Sequence, residues 1–221
     1  EDVGNDVTTT AAALGAITRD NDASRFLVRW WLWALVTLVV GMIVVGGLTR
    51  LTDSGLSITE WDPVMGAVPP MSLAAWEASF AAYKRTAEFA LQNTAMNLAE
   101  FKTIFWWEWG HRQLGRFIGL VWLVGFVALF TFGKLPKARR LSLFAIGPFI
   151  GLQGFIGWLM VNSGLDGVRV DVASYWLMGH LGAAFALLGY IFWSLQLFDR
   201  SEAELIQARR VRERKLFGMS T

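Results

Sequence analysis

Four long stretches of the chain carry almost no charge, and this feature constrains the fold more than any other. Residues 30–49, 141–165 and 172–198 contain no Asp, Glu, Lys or Arg. A membrane-spanning helix needs about 20 mostly apolar residues. Over the whole chain only 17% of the residues are charged, whereas soluble domains have about 25%. The sequence therefore predicts helices that cross a membrane.

The fourth stretch ends in a run that is too short to span alone. Residues 117–132 are uncharged, but these 16 residues would cover only about 24 Å of a hydrocarbon core about 30 Å thick. The helix must begin earlier and include part of residues 105–116, FWWEWGHRQLGR. We therefore predict an all-α membrane protein, a four-helix transmembrane bundle with spans at about 27–49, 104–132, 141–163 and 173–198.

The charges of the connecting segments set the expected orientation of these spans. Residues 133–140 hold four basic residues and residues 199–221 hold six, whereas residues 50–103 hold four basic and six acidic ones. Lys and Arg favour the cytoplasmic side. We expect residues 1–25 to be a polar, partly disordered cytoplasmic tail and residues 50–103 to be a periplasmic loop with short helices. Residues 199–221 would be a basic cytoplasmic tail or connector.

One segment of the long loop has the pattern of a helix with an apolar face. Trp76, Phe80 and Tyr83 follow each other at i, i+4 and i+7. This spacing places the three rings on one side of a helix. The pattern predicts an amphipathic helix that lies on the membrane surface or over a site.

Two pairs of loop residues have the spacing of a helix-capping box. Ser57 precedes Glu60 by three positions, and Asn97 precedes Glu100 by three positions. In a capping box the first side chain accepts from the backbone of the first turn and the acidic residue bonds back. The second pair stands just before the second predicted span.

The chain has only two histidines, His111 and His180, and no cysteine. Cysteine-based metal or disulfide chemistry is therefore excluded. Counted from the periplasmic ends of their spans, the two histidines lie about 10 Å and about 9 Å deep. Two imidazoles that face each other inside a helical bundle are typical of axial haem ligands. Gly147, Gly151 and Gly154 give the third span a smooth face, either for a flat ligand or for helix packing.

Three charged residues surround His111 on its own helix. Glu108 lies three positions before His111 and shares its face. The carboxylate is placed either to relay protons and stabilise positive charge on a porphyrin, or to form an ion pair with Arg112. Arg112 and Arg116 lie one turn apart, where they would bind haem propionates or extend to lipid headgroups.

These residues lie in stretches that resemble one known family, haem A synthase. The resemblance covers roughly residues 25–198, and the cysteine-free loop is similar to the alphaproteobacterial and mitochondrial type. The EWGHR context is its most specific part. The stretches that carry it are GGLTRLTDSGLSITEWDPVMGAVPP (46–70), FKTIFWWEWGHRQLGRFIGLVW (101–122), GLQGFIGWLMVNSGL (151–165) and MGHLGAAFALL (178–188).

The resemblance implies a fold and an activity. The family has eight membrane helices in two similar four-helix halves, and this chain resembles the N-terminal half. The family oxidises a ring methyl of haem O to a formyl group and so makes haem A. Residues 26–198 would hold haem O, and then haem A, between His111 and His180, with Glu108 as the catalytic carboxylate. Haem b would occupy the other half. Arg112 and Arg116 remain inferences from position.

The resemblance also implies partners and a location. The chain would require a C-terminal half or a second copy, and it would lie in a bacterial inner membrane, or a mitochondrial one in a eukaryote. Haem O synthase and cytochrome oxidase assembly factors are the implied protein partners. A net charge of only +2 gives no indication of nucleic-acid binding. The alternatives are a membrane b-type cytochrome or haem-carrying assembly subunit without catalysis, and a structural subunit of a respiratory complex.

Overall fold

The computed structural model describes residues 3–62, 65–165, 167, 169–199 and 207, with side chains at most positions from residue 23 onward. All regular structure in these residues is helical. The main helices are α1 (Val3–Leu51), α2 (Leu73–Tyr83), α3 (Ala87–Leu91), α4 (Leu98–Thr131), α5 (Arg140–Gly164) and α6 (Ser174–Asp199). Two short 3₁₀ helices lie at Met65–Ala67 and Lys137–Arg139.

In the described part of the chain, four segments are long and apolar enough to cross a membrane. They are Ala23–Leu51, Leu98–Thr131, Lys137–Gly164 and Ser174–Phe198. The shortest has 25 residues, or about 37 Å at 1.5 Å per residue, which exceeds a hydrocarbon core of about 30 Å. The prediction of an all-α four-helix membrane bundle is therefore confirmed.

Helix α4 begins earlier than the span predicted at residue 104. Asn97 caps it, because its side chain accepts from the backbone N–H groups of Ala99 (2.9 Å) and Glu100 (3.1 Å). The Glu100 carboxylate accepts in return from the Asn97 N–H at 2.9 Å. This capping box satisfies backbone donors that a helix start leaves open. The charges of residues 105–116 therefore lie inside a continuous helix, as the span length required.

Helix α1 extends back to Val3. Residues 3–25, expected to be partly disordered, are therefore helical here. Their cytoplasmic placement stays a prediction. The basic segment 199–221 lies outside the described residues, except for Asp199 and Gln207.

The four long helices form a ring in which α1 packs against α4 and α6, and α5 packs against the same two helices. Tryptophans fit against glycines at two of these contacts. Trp31 of α1 lies on Gly125 of α4 and donates to the Val121 carbonyl at 3.1 Å. Trp122 of α4 lies on Gly147 of α5. A Cβ at Gly125 would lie 2.1 Å from the Trp31 ring, so these glycines allow the close helix approach.

The packed apolar core fills one end of the ring. Its buried side chains come from residues 28–39 of α1, the second half of α4, the start of α5 and the second half of α6, as in Leu35, Leu129, Leu143 and Ile191. The opposite end carries residues 52–97, and we call it the loop end. Core side chains thin out toward the loop end, where a cavity opens instead.

Helix α2 covers the start of α4 with the predicted aromatic face. Trp76, Phe80 and Tyr83 are buried there. Trp76 meets the Phe105 ring at 4.8 Å, and Phe80 stacks on Phe101 at 4.9 Å between ring centroids. The predicted amphipathic helix is confirmed, and its aromatic face packs on α4.

The capping signal at Ser57 and Glu60 does not start a helix. The residues that follow Ser57 are irregular up to Asp62. The Ser57 side chain donates instead to a residue of α4, described below. A capping box forms only where the residues that follow are helical. Here the Ser57 hydroxyl makes a tertiary contact instead.

Candidate functional site

A cavity of ≈ 480 Å³ lies at the loop end between the four long helices. All five residues that the sequence singled out line it: Glu108, His111, Arg112, Arg116 and His180. The rest of the wall is mostly apolar, with aliphatic side chains and several glycines. The fold therefore gathers the predicted residues around one cavity.

His111 of α4 and His180 of α6 each fit against a glycine of a neighbouring helix. A Cβ added at Gly46 of α1 would lie 2.9 Å from the His111 Cε1, and one at Gly157 of α5 would lie 3.0 Å from the His180 Cε1. Distances this short leave no room for a side chain. Each imidazole is thus positioned by the backbone of another helix.

The Nδ1 atoms of His111 and His180 are both buried without a hydrogen-bond partner. Imidazole nitrogens are the commonest metal ligands of proteins. In the described residues no group of three or more His, Asp or Glu side chains is placed to hold a metal ion.

Glycines of the cavity wall leave space that side chains would fill. A Cβ at Gly154 of α5 or at Gly47 of α1 would meet nothing within 4 Å, although both residues line the cavity. Gly147, by contrast, is filled by Trp122. The sequence left two interpretations open for the glycines of the third span, a face for a flat ligand or a face for helix packing. In the structure Gly147 contacts a neighbouring helix through Trp122, and Gly154 lines the cavity.

Glu108 is buried, with 2% of its surface exposed, and is held by three donors. Its Oε2 accepts from the Ser57 hydroxyl at 2.7 Å and from the Ile58 backbone N–H at 2.7 Å. Its Oε1 pairs with the guanidinium of Arg112. Charge-assisted bonds of this kind fix the carboxylate in one orientation.

Arg112 joins this carboxylate to the loop. Its guanidinium donates to the carbonyls of Ile58 at 2.9 Å and Glu60 at 3.2 Å, and it lies 5.7 Å from the Trp61 ring centroid. The ion pair weighed from the sequence is thus present, within a larger network. Sequence reasoning missed the network because its loop partners lie about 50 positions away from α4.

Arg116 and Gln113 continue the same line of contacts along α4. Arg116 donates to the Asp62 carbonyl at 3.1 Å, and the Gln113 amide donates to the Gly66 carbonyl at 3.2 Å. Residues 58–62 and Gly66, which we call the crossing loop, therefore lie across the loop end beside the cavity. The arginines face this crossing loop and the cavity.

Two further polar residues of the cavity escaped the sequence analysis. Gln153 of α5 donates to the His180 carbonyl at 3.1 Å, and its Oε1 is buried without a partner. Glu88 of α3 is 3% exposed, and its Oε2 also lacks a partner. An amide inside an otherwise apolar span was the available signal for Gln153. The helical pattern of residues 73–91 gave no such signal for Glu88.

Comparisons with known proteins show the family of the chain. The profile of the COX15-CtaA family, described as cytochrome oxidase assembly protein, matches residues 29–221. The chain is 53% identical over 221 residues to a heme A synthase of Cereibacter sphaeroides (strain ATCC 17025 / ATH 2.4.3), covering all of this chain and 56% of that protein.

Two other relatives give the same result. A heme A synthase of Ruegeria sp. (strain TM1040) is 54% identical over 94% of this chain and 55% of its own length. That of Paracoccus denitrificans (strain Pd 1222) is 50% identical over 96% and 56%. The chain spans about half the length of these curated relatives, and no solved structure matches it. The chain therefore belongs to the COX15-CtaA family of cytochrome oxidase assembly proteins, the family of these heme A synthases.

Proposed function

We propose that the protein acts in haem A synthesis, and that this half holds the haem O substrate between His111 and His180 while a ring methyl is oxidised to a formyl group. One observation carries the proposal: two imidazoles from different helices line a single apolar cavity. The heme A synthases similar to this chain supply the reaction. The product, haem A, would serve cytochrome oxidase.

The residues present fit a haem. The two imidazoles are the only ones in the chain, and the cavity wall between them is apolar and has glycines where a flat ring needs space. The bound porphyrin would supply the iron and the ring carbon that is oxidised. The protein would bind the iron through His111 and His180, orient the ring and exclude water.

Glu108 is proposed as the catalytic carboxylate. Its three donors stabilise a fixed negative charge, and a fixed charge in a water-poor site stabilises positive charge that develops nearby. Of the two roles considered from the sequence, this arrangement favours electrostatic stabilisation over proton relay. A carboxylate held by Ser57, Ile58 and Arg112 would have to give up bonds before it took up a proton.

Arg112 and Arg116 are proposed to bind the haem propionates. A guanidinium has five N–H donors in a planar fork, so it can bind a loop carbonyl and a carboxylate together. Both arginines line the cavity at the loop end. With the propionates there, the crossing loop would lie over the polar edge of the ring.

The intact protein would supply what this half lacks. We propose that haem b occupies a second four-helix half, or that a second copy of the chain takes its place. The protein would lie in the bacterial inner membrane with both termini of this chain on the cytoplasmic side. Haem O synthase and cytochrome oxidase assembly factors would be its partners.

A second function has one observation in its favour. The contacts of Glu108 with Ser57, Ile58 and Arg112 also explain this carboxylate as a purely structural anchor for the loop. In that case the chain would be part of a membrane b-type cytochrome or a haem-carrying assembly subunit without chemistry of its own.

The variant Glu108→Gln separates the two functions. If Glu108 is catalytic, the full-length variant keeps its bound haem, but haem O and a hydroxylated intermediate accumulate and haem A falls by about a hundredfold or more. Chromatography of the extracted haems measures this. Glu77→Gln, at an exposed position of α2, is the matched control. Unchanged haem A production in Glu108→Gln would leave only the non-catalytic function.

A further inference from the structure

Glu88 is a buried acid of the cavity that the proposed chemistry does not use. It lies in α3, is 3% exposed and lines the same cavity as Glu108. Among the residues that the structure describes, its Oε2 has no hydrogen-bond partner. An isolated carboxylate is costly to bury, and a group in this position lowers the cost by keeping its proton.

The groups around Glu88 come from every neighbouring element. Arg50 and Asp53 lie at the end of α1, Tyr83 at the end of α2, Glu108 in α4 and Asp171 just before α6. Burial raises the pKa of Glu88 to about 8, the acidic neighbours add to this rise, and Arg50 opposes it. Burial and then Glu88 raise the pKa of Tyr83 to about 12, so the phenol keeps its proton.

The three acids that raise the pKa of Glu88 are themselves paired with cations. Glu108 pairs with Arg112 and accepts two further hydrogen bonds. Asp53 and Asp171 both pair with Arg50, at 3.1 Å and 3.0 Å, and are half exposed or more. Of these four acids, Glu88 is therefore the one that can gain and lose a proton near neutral pH without breaking an ion pair.

We propose that Glu88 is a proton-exchange site at the loop end of the cavity, taking up a proton from inside and passing it to water beside Asp53 and Asp171. The step is a proton transfer alone: the O–H bond of the Glu88 carboxyl breaks as one to water forms, and the carboxylate is then reprotonated from the cavity. Its use in catalysis rests on the proposed function, since a methyl C–H bond that loses its electrons to an acceptor also releases its proton. Its ionisation does not depend on that function.

Infrared spectroscopy of the full-length protein in lipid tests the ionisation directly. The carboxylic acid C=O stretch of the wild type should be present at pH 7 and should disappear with a midpoint near pH 8. Glu88→Gln should remove this band, whereas the exposed control Glu77→Gln should keep it. A band that persists in Glu88→Gln, or no band in the wild type, overturns the proposal.

A second variant keeps Glu88 itself in place. Arg50→Gln removes the cation that opposes the raised pKa, so the midpoint of the band should move to higher pH. An unchanged or lower midpoint overturns the assignment to Glu88, even if Glu88→Gln should fail to fold.

Haem A production separates this inference from the proposed function. Glu88→Gln should lower the rate by about tenfold or more, and the remaining rate should lose its dependence on pH near 8. A variant that loses the band but makes haem A at the wild-type rate overturns proton exchange by Glu88 and leaves the proposed function intact. A wild-type protein that shows the band but makes no haem A overturns the proposed function and, with it, the catalytic use of Glu88.

Discussion

Gly46 and Gly157 give the two histidines their positions, because each imidazole lies on the backbone of a helix other than its own. His111 is backed by α1 and His180 by α5. The same device joins Trp31 to α4 and Trp122 to α5. Rings that fit on glycines thus position both the packed core and the candidate iron ligands.

This arrangement predicts the effect of one added methyl group. In Gly46→Ala or Gly157→Ala the new Cβ would overlap an imidazole, and overpacking of this kind costs about 1–3 kcal/mol. We expect the full-length variants to bind haem tenfold more weakly or to show an altered electron paramagnetic resonance spectrum of the ferric haem.

Two glycines of the same helices provide controls for this prediction. A Cβ at Gly41 of α1 or at Gly151 of α5 would meet nothing within 4 Å, and neither residue lines the cavity. Gly41→Ala and Gly151→Ala should keep the wild-type haem spectrum. If all four variants behave alike, the glycines do not position the histidines.

Residues of the site differ in how far the sequence revealed them. The sequence predicted that His111 and His180 lie at similar depths, because α4 and α6 both begin at the loop end and rise by a fixed distance per residue. The contact of Ser57 with Glu108 was not predicted, since it is set by the path of an irregular loop. No period in the sequence records where such a loop crosses a helix.

At the scale of elements, the loop of residues 52–97 is tied to α4 by two kinds of contact. The aromatic face of α2 packs on the first turns of α4. Polar side chains of α4 then hold the carbonyls of Ile58, Asp62 and Gly66. The aromatic contact was predictable from helical spacing, whereas the polar one was not, because the loop offers backbone carbonyls that no side-chain pattern reveals.

The orientation of these elements can be tested with the cysteine-free chain. Single cysteines at Glu77 in α2 and at Lys137 in the α4–α5 link both replace exposed residues. Because basic links favour the cytoplasm, a membrane-impermeant maleimide should label Glu77→Cys in spheroplasts, and Lys137→Cys only after the membrane is opened. The reverse pattern of labelling would contradict the predicted orientation.

At the scale of the whole molecule, the bundle is divided into a packed end and an open end. Apolar side chains fill the end away from the loop, while the loop end keeps a cavity of ≈ 480 Å³. Composition and span length predicted the bundle, since few folds satisfy backbone groups within lipid. The cavity was not predictable from them, because its volume depends on which aromatic and imidazole rings pack against the glycines of neighbouring helices.

The chain spans about half the length of its curated relatives. The proposed division of labour, with substrate in this half and haem b in the other, assigns different haems to the two sites. Because the two sites would hold chemically different haems, the haem bound in this cavity can be measured separately.

The haem content of the full-length protein tests the central claim most directly. Pyridine haemochrome spectra and chromatography of extracted haems should be compared for the wild type, His111→Ala and His180→Ala. We predict that each substitution alone removes nearly all haem O and haem A from the protein and leaves haem b per chain unchanged. Haem O and haem A that remain at the wild-type level in either variant would contradict the claim that the two histidines hold one haem in this cavity.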